Sequence, residues 1–220
     1  METRDNEVVE TTSLINEQLR KGGEIFEVID HIQSLPRPIV VDFNNVLANN
    51  SEPLVVNPAA KEFIDKLLSI GTVIIVTTAR DWEPNRKFLA DNGLWNDHMV
   101  LINRDPLADI TLSSFPLNPE TEKLVGKQVS ILKGLGKKVE PEEFKGASAT
   151  KRISHVFGKS YNVPIVDDGY MAVIDNPGMF GVWVEKWNPE DSDRSEVDGV
   201  KRYSLKDAAK IVEDYYKKIT

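Results

Sequence analysis

The chain reads as an α/β protein, a doubly wound parallel sheet of about five strands with flanking helices. Three observations predict this. Short apolar runs, mostly β-branched, recur at 38–43, 73–76, 99–102, 163–166 and 181–184, as strands buried on both faces require. Segments with apolar residues at helical spacing separate most of them, which implies parallel strands joined by right-handed crossovers. Polar clusters then follow four of the runs, at Asp42, Thr77-Thr78, Arg104 and Asp167-Asp168. The carboxyl edge of an open parallel sheet is where such folds hold their ligands.

Composition narrows the function classes. A chain of 220 residues can build one substantial core, or a core plus a small insertion. The net charge of -8 argues against a general nucleic-acid or membrane surface, so neither partner is favoured, although a local basic groove for nucleic acid stays open. The absence of cysteine excludes disulfides, thiolate nucleophiles and cysteine-ligated zinc or iron–sulfur clusters, and it fits a cytoplasmic protein. The acidic, polar stretch from Met1 to Glu10 lacks the basic and apolar regions of a signal peptide. No apolar run approaches the ~20 residues of a membrane span.

Taken in order, residues 1–36 form a helical extension. Leu14, Ile15 and Leu19, then Ile25, Phe26, Val28, Ile29, Ile32 and Leu35, keep helical spacing, and Gly22-Gly23 divides them. Two short helices covering the sheet are expected, with a partner-binding arm as the alternative. Pro36 and Pro38 release the chain into the first strand, which delivers Asp42. Residues 37–220 then make up the α/β domain. Asn57-Pro58 opens a helix that buries Phe63, Ile64, Leu67 and Leu68 and closes at Gly71. The second strand leads to Thr77-Thr78-Ala79-Arg80. A helix from about Glu83-Pro84, burying Phe88 and Leu89, stops at Asn92-Gly93, and the third strand ends at Asn103-Arg104.

Residues 105–150 break the alternation and read as a small helical insertion or cap over the strand ends. It resumes with a helix from Lys151, a fourth strand running into Asp167-Asp168-Gly169, and a fifth strand. After an acidic loop, a last helix has Ser204 as N-cap and an inner face of Ala208, Ile211, Val212 and Tyr215.

Asp42, Asp167 and Asp168 at one edge would repel one another unless a divalent cation neutralised them, and oxygen-only ligands suit Mg²⁺. A Thr hydroxyl can hold a phosphate oxygen, and a Lys at a helix start can balance the remaining charge.

These residues resemble a family. Asp42-Phe43-Asn44-Asn45-Val46-Leu47, the strand-ending Thr78, Lys151 opening a helix, and Val166-Asp167-Asp168-Gly169 are similar, in order, to the four motifs of the haloacid dehalogenase (HAD) superfamily, over roughly residues 37–185. The resemblance implies a HAD-like Rossmannoid sheet with strand order 5-4-1-2-3. It implies Asp42 as the nucleophile that becomes an aspartyl-phosphate, Thr78 and Lys151 as phosphate ligands, and Mg²⁺ held by Asp42, Asp167 and Asp168 and the backbone carbonyl of residue 44. Lys145 competes with Lys151 for the lysine role.

One departure affects catalysis. Phosphatases of the family place a general-acid Asp where this chain has Asn44, with Asn45 where Gly is usual and Asn50 near a further common acidic position. A carboxamide transfers no proton in this pH range, so a contribution worth ~10²–10⁴-fold is missing. Some members of the superfamily work without that Asp.

A narrower resemblance, to nucleotidases and polynucleotide 3′-phosphatases, rests on Thr77-Thr78-Ala79-Arg80, Arg86, Phe88-Leu89, Asn92-Gly93 and Arg104. It implies that Thr77 and Thr78 with Arg80 and Arg104 bind substrate. The alternative is that Arg80 pairs with an acid such as Asp81 and Arg104 caps a helix. His31, His98 and His155 lack metal-ligand spacing, and Trp183 and Trp187 read as packing.

The expected function is a Mg²⁺-dependent phosphohydrolase or phosphotransferase acting on a small phosphomonoester, with a nucleotide as one candidate. The alternative is a HAD-like domain that binds a phosphorylated ligand or a protein partner and has lost efficient catalysis.

Overall fold

The computed structural model describes residues 2–23, 25–77, 81–103, 154–157, 163–169, 179–189 and 202–219. Two helices, α1 (Glu2–Arg20) and α2 (Ile25–Ser34), precede β1 (Ile39–Asp42). Then come α3 (Ala60–Leu68), β2 (Val73–Val76), α4 (Trp82–Asp91) and β3 (Met99–Ile102). The described remainder holds α5 (Ser154–Phe157), β4 (Pro164–Asp167), β5 (Phe180–Trp183) and α6 (Leu205–Ile219).

The five strands pair in parallel as one sheet, in the order β3-β2-β1-β4-β5. Their sequences explain why. Every residue of β1 to β4 is buried, so both faces need apolar cover, and branched side chains such as Val40, Val41, Ile74, Ile75, Ile165 and Val166 fill that pleated surface. From β1 the chain steps one way to β2 and β3, then crosses back to β4 and on to β5. Right-handed crossovers therefore put α3 and α4 on one face and α5 on the other. Contacts agree: α6 packs on α3, and α2 packs on α5. This is a doubly wound α/β fold.

The extension at residues 1–36 covers the sheet. Ile15, Leu19, Ile25, Val28 and Ile32 share one buried core with the strands. At 19 residues, α1 is longer than the sequence suggests, and it seals an edge. The Asn16 amide donates from Nδ2 to the Met99 carbonyl (2.8 Å) and accepts on Oδ1 from the Leu101 N–H (3.0 Å). One side chain thus stands in for a missing strand along β3, which is fully buried despite its edge position. The Thr12 hydroxyl adds a bond to the Asp97 carbonyl. At the other edge, Tyr203 donates its N–H to the Trp183 carbonyl (2.9 Å) and accepts from the Glu185 N–H (3.0 Å).

Several boundaries shift by one to three residues. β4 and β5 each sit one position from the expected runs, because Pro164 is tolerated as a first strand residue and Asp167 stays in the ladder. The helix expected at Asn57 begins at Ala60, and Asn57 Oδ1 caps the preceding turn by accepting from the Ala59 N–H (3.0 Å). Gly71 is required by crowding: a Cβ there would lie 2.1 Å from the Arg37 carbonyl oxygen. Ser204 caps α6 as expected, accepting from the Asp207 N–H at 3.2 Å. The expected insertion at 105–150 lies outside the described residues. Among the described residues, no helix is long and apolar enough to cross a membrane.

Candidate functional site

The site starts from register. Val40 pairs with Ile165 and Val41 with Val166, so the next step brings Asp42 beside Asp167 at the carboxyl edge. Asp168 follows directly. One carboxylate oxygen from each of Asp42, Asp167 and Asp168 lies within 4.8 Å of the others. Asp42 and Asp167 are almost fully buried, at 2% and 1% exposure, whereas Asp168 is half-buried. Burying two like charges beside a third is costly without a cation.

Local geometry holds the acidic pair in place. The Gly169 N–H donates to Asp167 Oδ1 at 2.6 Å, a turn that Asp side chains favour. A Cβ at position 169 would come to 3.1 Å of that same oxygen, so glycine leaves the carboxylate room. The Val184 N–H donates to the Asp167 carbonyl at 3.1 Å and ties the strand end to β5.

The turn after Asp42 is equally constrained. The Phe43 N–H donates to the Val76 carbonyl (2.9 Å), and the Leu47 and Ala48 N–H groups return to the Phe43 carbonyl (3.0 and 3.2 Å). Asn45 adopts φ 59°, a left-handed conformation that Asn tolerates better than most residues. Its carbonyl accepts the Trp187 N–H at 2.6 Å, bringing the segment after β5 onto this turn. Farther along, Asn49 clasps the loop by accepting from the Val55 N–H (2.7 Å) and donating to Ser51 Oγ (3.1 Å) and the Pro53 carbonyl (3.2 Å).

Asn44 has a defined orientation. Its Oδ1 accepts from the Thr77 hydroxyl (3.2 Å), and its Nδ2 donates to Asn50 Oδ1 (3.1 Å). Thr77 is buried at the end of β2, and its N–H bonds to the Ile102 carbonyl (3.0 Å). The structure thus gathers Asp42, Asn44, Thr77, Asp167 and Asp168 of the expected site residues. Thr78, Arg80, Arg104, Lys145 and Lys151 lie outside the described residues. Asn50 is an addition to the site, legible in sequence only as an asparagine where an acid is common.

A cavity of about 410 Å³ lies elsewhere, between α1 and α4, lined among others by Glu17, Arg20, Trp82, Arg86 and Trp95. Its walls partner each other: the Arg86 guanidinium sits 5.4 Å from the Trp95 ring centre, and Trp82 and Trp95 meet edge to face. None of the three carboxylates lines it.

Chemically, the edge offers three oxygen ligands of the kind hard cations take, a buried carboxylate that can act as a nucleophile, and a carboxamide beside it that moves no proton. Compared with protein-family models, with curated proteins and with solved structures, the chain matches none.

Proposed function

We propose that the protein is a Mg²⁺-dependent phosphohydrolase or phosphotransferase of HAD type, acting on a small phosphomonoester through an aspartyl-phosphate at Asp42. The observation that carries this reading is the gathering of Asp42, Asp167 and Asp168 within 4.8 Å at the carboxyl edge of a parallel sheet. The donor set fits a hard divalent ion, since all three ligands are oxygens and two are buried. Held there, Mg²⁺ would screen the negative charge shared by the carboxylates and an incoming phosphoryl group.

In the first step a carboxylate oxygen of Asp42 attacks phosphorus as the bond to the ester oxygen breaks. The leaving oxygen takes its proton from water, because Asn44 has none to give. In the second step water attacks the phosphorus of the acyl phosphate, releasing orthophosphate and restoring the Asp42 carboxylate. An alcohol in place of that water makes the reaction a phosphotransfer. The bonds from Thr77 and to Asn50 hold Asn44 at the mouth of the turn, where it positions rather than protonates.

Asn44 also favours a second reading, in which the domain binds a phosphorylated ligand or a protein partner and turns over poorly. Phosphate release from a panel of phosphomonoesters, with and without Mg²⁺, separates the two. The first reading expects activity in the wild type and none in Asp42→Asn. The second expects activity only in Asn44→Asp, a gain of ~10²–10⁴-fold, since Thr77 and a flipped Asn50 amide can both donate to the new carboxylate. If neither protein releases phosphate, the catalytic reading is wrong.

A further inference from the structure

Asn44 exchanges no proton, and the groups that hold it do not do so in its place. Among the described residues, neutral partners bond its amide at both ends: the Thr77 hydroxyl at Oδ1 (3.2 Å) and the Asn50 carboxamide at Nδ2 (3.1 Å). Neither partner ionises near neutral pH. The surrounding backbone is tied down as well. The Leu47 and Ala48 N–H groups return to the Phe43 carbonyl, and Asn49 clasps the loop that carries Asn50 through the Val55 N–H and the Pro53 carbonyl. The general-acid position beside Asp42 is thus built from two carboxamides and a buried hydroxyl.

An alkyl phosphate suffers most from such a site. Its leaving alkoxide is strongly basic and needs a proton as the P–O bond breaks, a transfer that a general acid makes ~10²–10⁴-fold faster. An acyl phosphate needs none, because its leaving group is a carboxylate, stable as an anion above about pH 4. Asp42 then attacks phosphorus with one carboxylate and displaces another. The P–O bond formed and the P–O bond broken are of the same kind, the electron pair stays on the departing carboxylate, and no proton moves. In the second step water attacks the phosphorus of the aspartyl-phosphate, the P–O bond to Asp42 breaks, and the proton of the water leaves on orthophosphate. That step is the same for every donor and has no base at position 44 to speed it. With a good donor the aspartyl-phosphate therefore builds up.

Resting on the aspartyl-phosphate reading of this edge, we propose that the preferred substrates are phosphates carried on an acidic oxygen. Acyl phosphates come first, aryl phosphates of acidic phenols next, and alkyl phosphates last. Asn44, held by Thr77 and Asn50, is the selecting residue, since it withholds the proton that an alkyl leaving group requires.

Phosphate release in Mg²⁺ from acetyl, para-nitrophenyl, phenyl and glycerol phosphates tests this on the wild type, Asn44→Asp and Asn44→Ala. The wild type should rank the four in that order by kcat/KM. Asn44→Asp should raise kcat/KM by ~10²–10⁴-fold for glycerol phosphate and by less than about tenfold for acetyl phosphate, which flattens the ranking. Asn44→Ala has no proton to give and should keep the ranking steep. Intact mass adds a readout apart from turnover: acetyl phosphate should leave one phosphoryl group on the wild type and none on Asp42→Asn. If Asn44→Asp does not fold, the para-nitrophenyl and phenyl esters decide the matter, since they differ little in shape and much in the acidity of the phenol. Equal kcat/KM for that pair in the wild type, or a ranking just as steep in Asn44→Asp, means that another group supplies the proton. Either result overturns the proposal and leaves the aspartyl-phosphate reading standing. A wild type inert to all four donors overturns it too, and the reading falls with it if Asn44→Asp is equally inert.

Discussion

Replacing Asp168 with Asn removes one charge from the carboxylate trio while keeping its shape. The three oxygens lie within 4.8 Å of one another, and Asp168 is half-buried, so water screens it. Two unit charges at that separation repel by about 0.9 kcal/mol in water-like screening. Asp168 faces two such partners, so in EDTA the variant should gain about 2 kcal/mol. For a domain of this size that raises the melting temperature by about 4–8 °C. With Mg²⁺ the order should reverse. A ligand at a hundred times its dissociation constant stabilises by about 2.7 kcal/mol, or about 5–11 °C here. The wild type should show that shift, and the variant, short of one ligand, should show much less. Differential scanning fluorimetry across a Mg²⁺ series, begun in EDTA, reads both signs. A wild type indifferent to Mg²⁺, or a variant that melts at or below the wild type in EDTA, would refute the electrostatic account of this edge.

Two further perturbations probe the scaffold. Asn16→Ala removes both side-chain bonds along β3 and leaves the Met99 carbonyl and the Leu101 N–H buried. At about 1–3 kcal/mol for each stranded group, a loss of about 2–6 kcal/mol is expected in urea denaturation, and a loss below about 1 kcal/mol would mean that water replaces the amide. Tyr216→Phe removes the hydroxyl that donates to the Pro38 carbonyl at 2.6 Å and should cost about 1 kcal/mol at pH 7. Burial, with Tyr215 adding to it and Arg37 opposing, holds the Tyr216 hydroxyl well above the ordinary tyrosine range. A raised value favours the neutral form in the folded state. The stability linked to it is therefore full below about pH 10 and declines as pH rises beyond. Unfolding free energies measured from pH 8 to 11 should fall with a shallower slope in the Phe variant, and equal slopes would remove Tyr216 from the alkaline transition.

Much of the fold is legible because its strands are buried on both faces. Val73–Val76 and Met99–Ile102 are unbroken apolar runs, and the structure reproduces their limits. β4 and β5 are less legible, since Pro164 and Gly181 are residues that turns favour over strands. The acidic residues of the site announce themselves by following apolar strands, and register supplies what spacing lacks, the placement of Asp167 next to Asp42. Asn16 is invisible for the opposite reason. A polar residue between Ile15 and Leu19 reads as an ordinary break in an apolar stripe, and only the strand it pairs with, far along the chain, gives it a purpose.

α1 packs on β3, and α6 packs on α3 and β5, so each helix pairs with elements made at a different time, and this sets a timetable for synthesis. Asn16 leaves the ribosome 83 residues ahead of Met99, and the Pro38 carbonyl leaves 178 residues ahead of Tyr216. At the usual pace of translation, α1 has no strand to lie against for roughly 4–17 s, and β1 waits still longer for α6. During that interval the apolar side of α1, carrying Ile15 and Leu19, is open to whatever is nearby. The nascent chain should therefore engage chaperones through α1 once it emerges, and let go of them as β3 and then α6 dock.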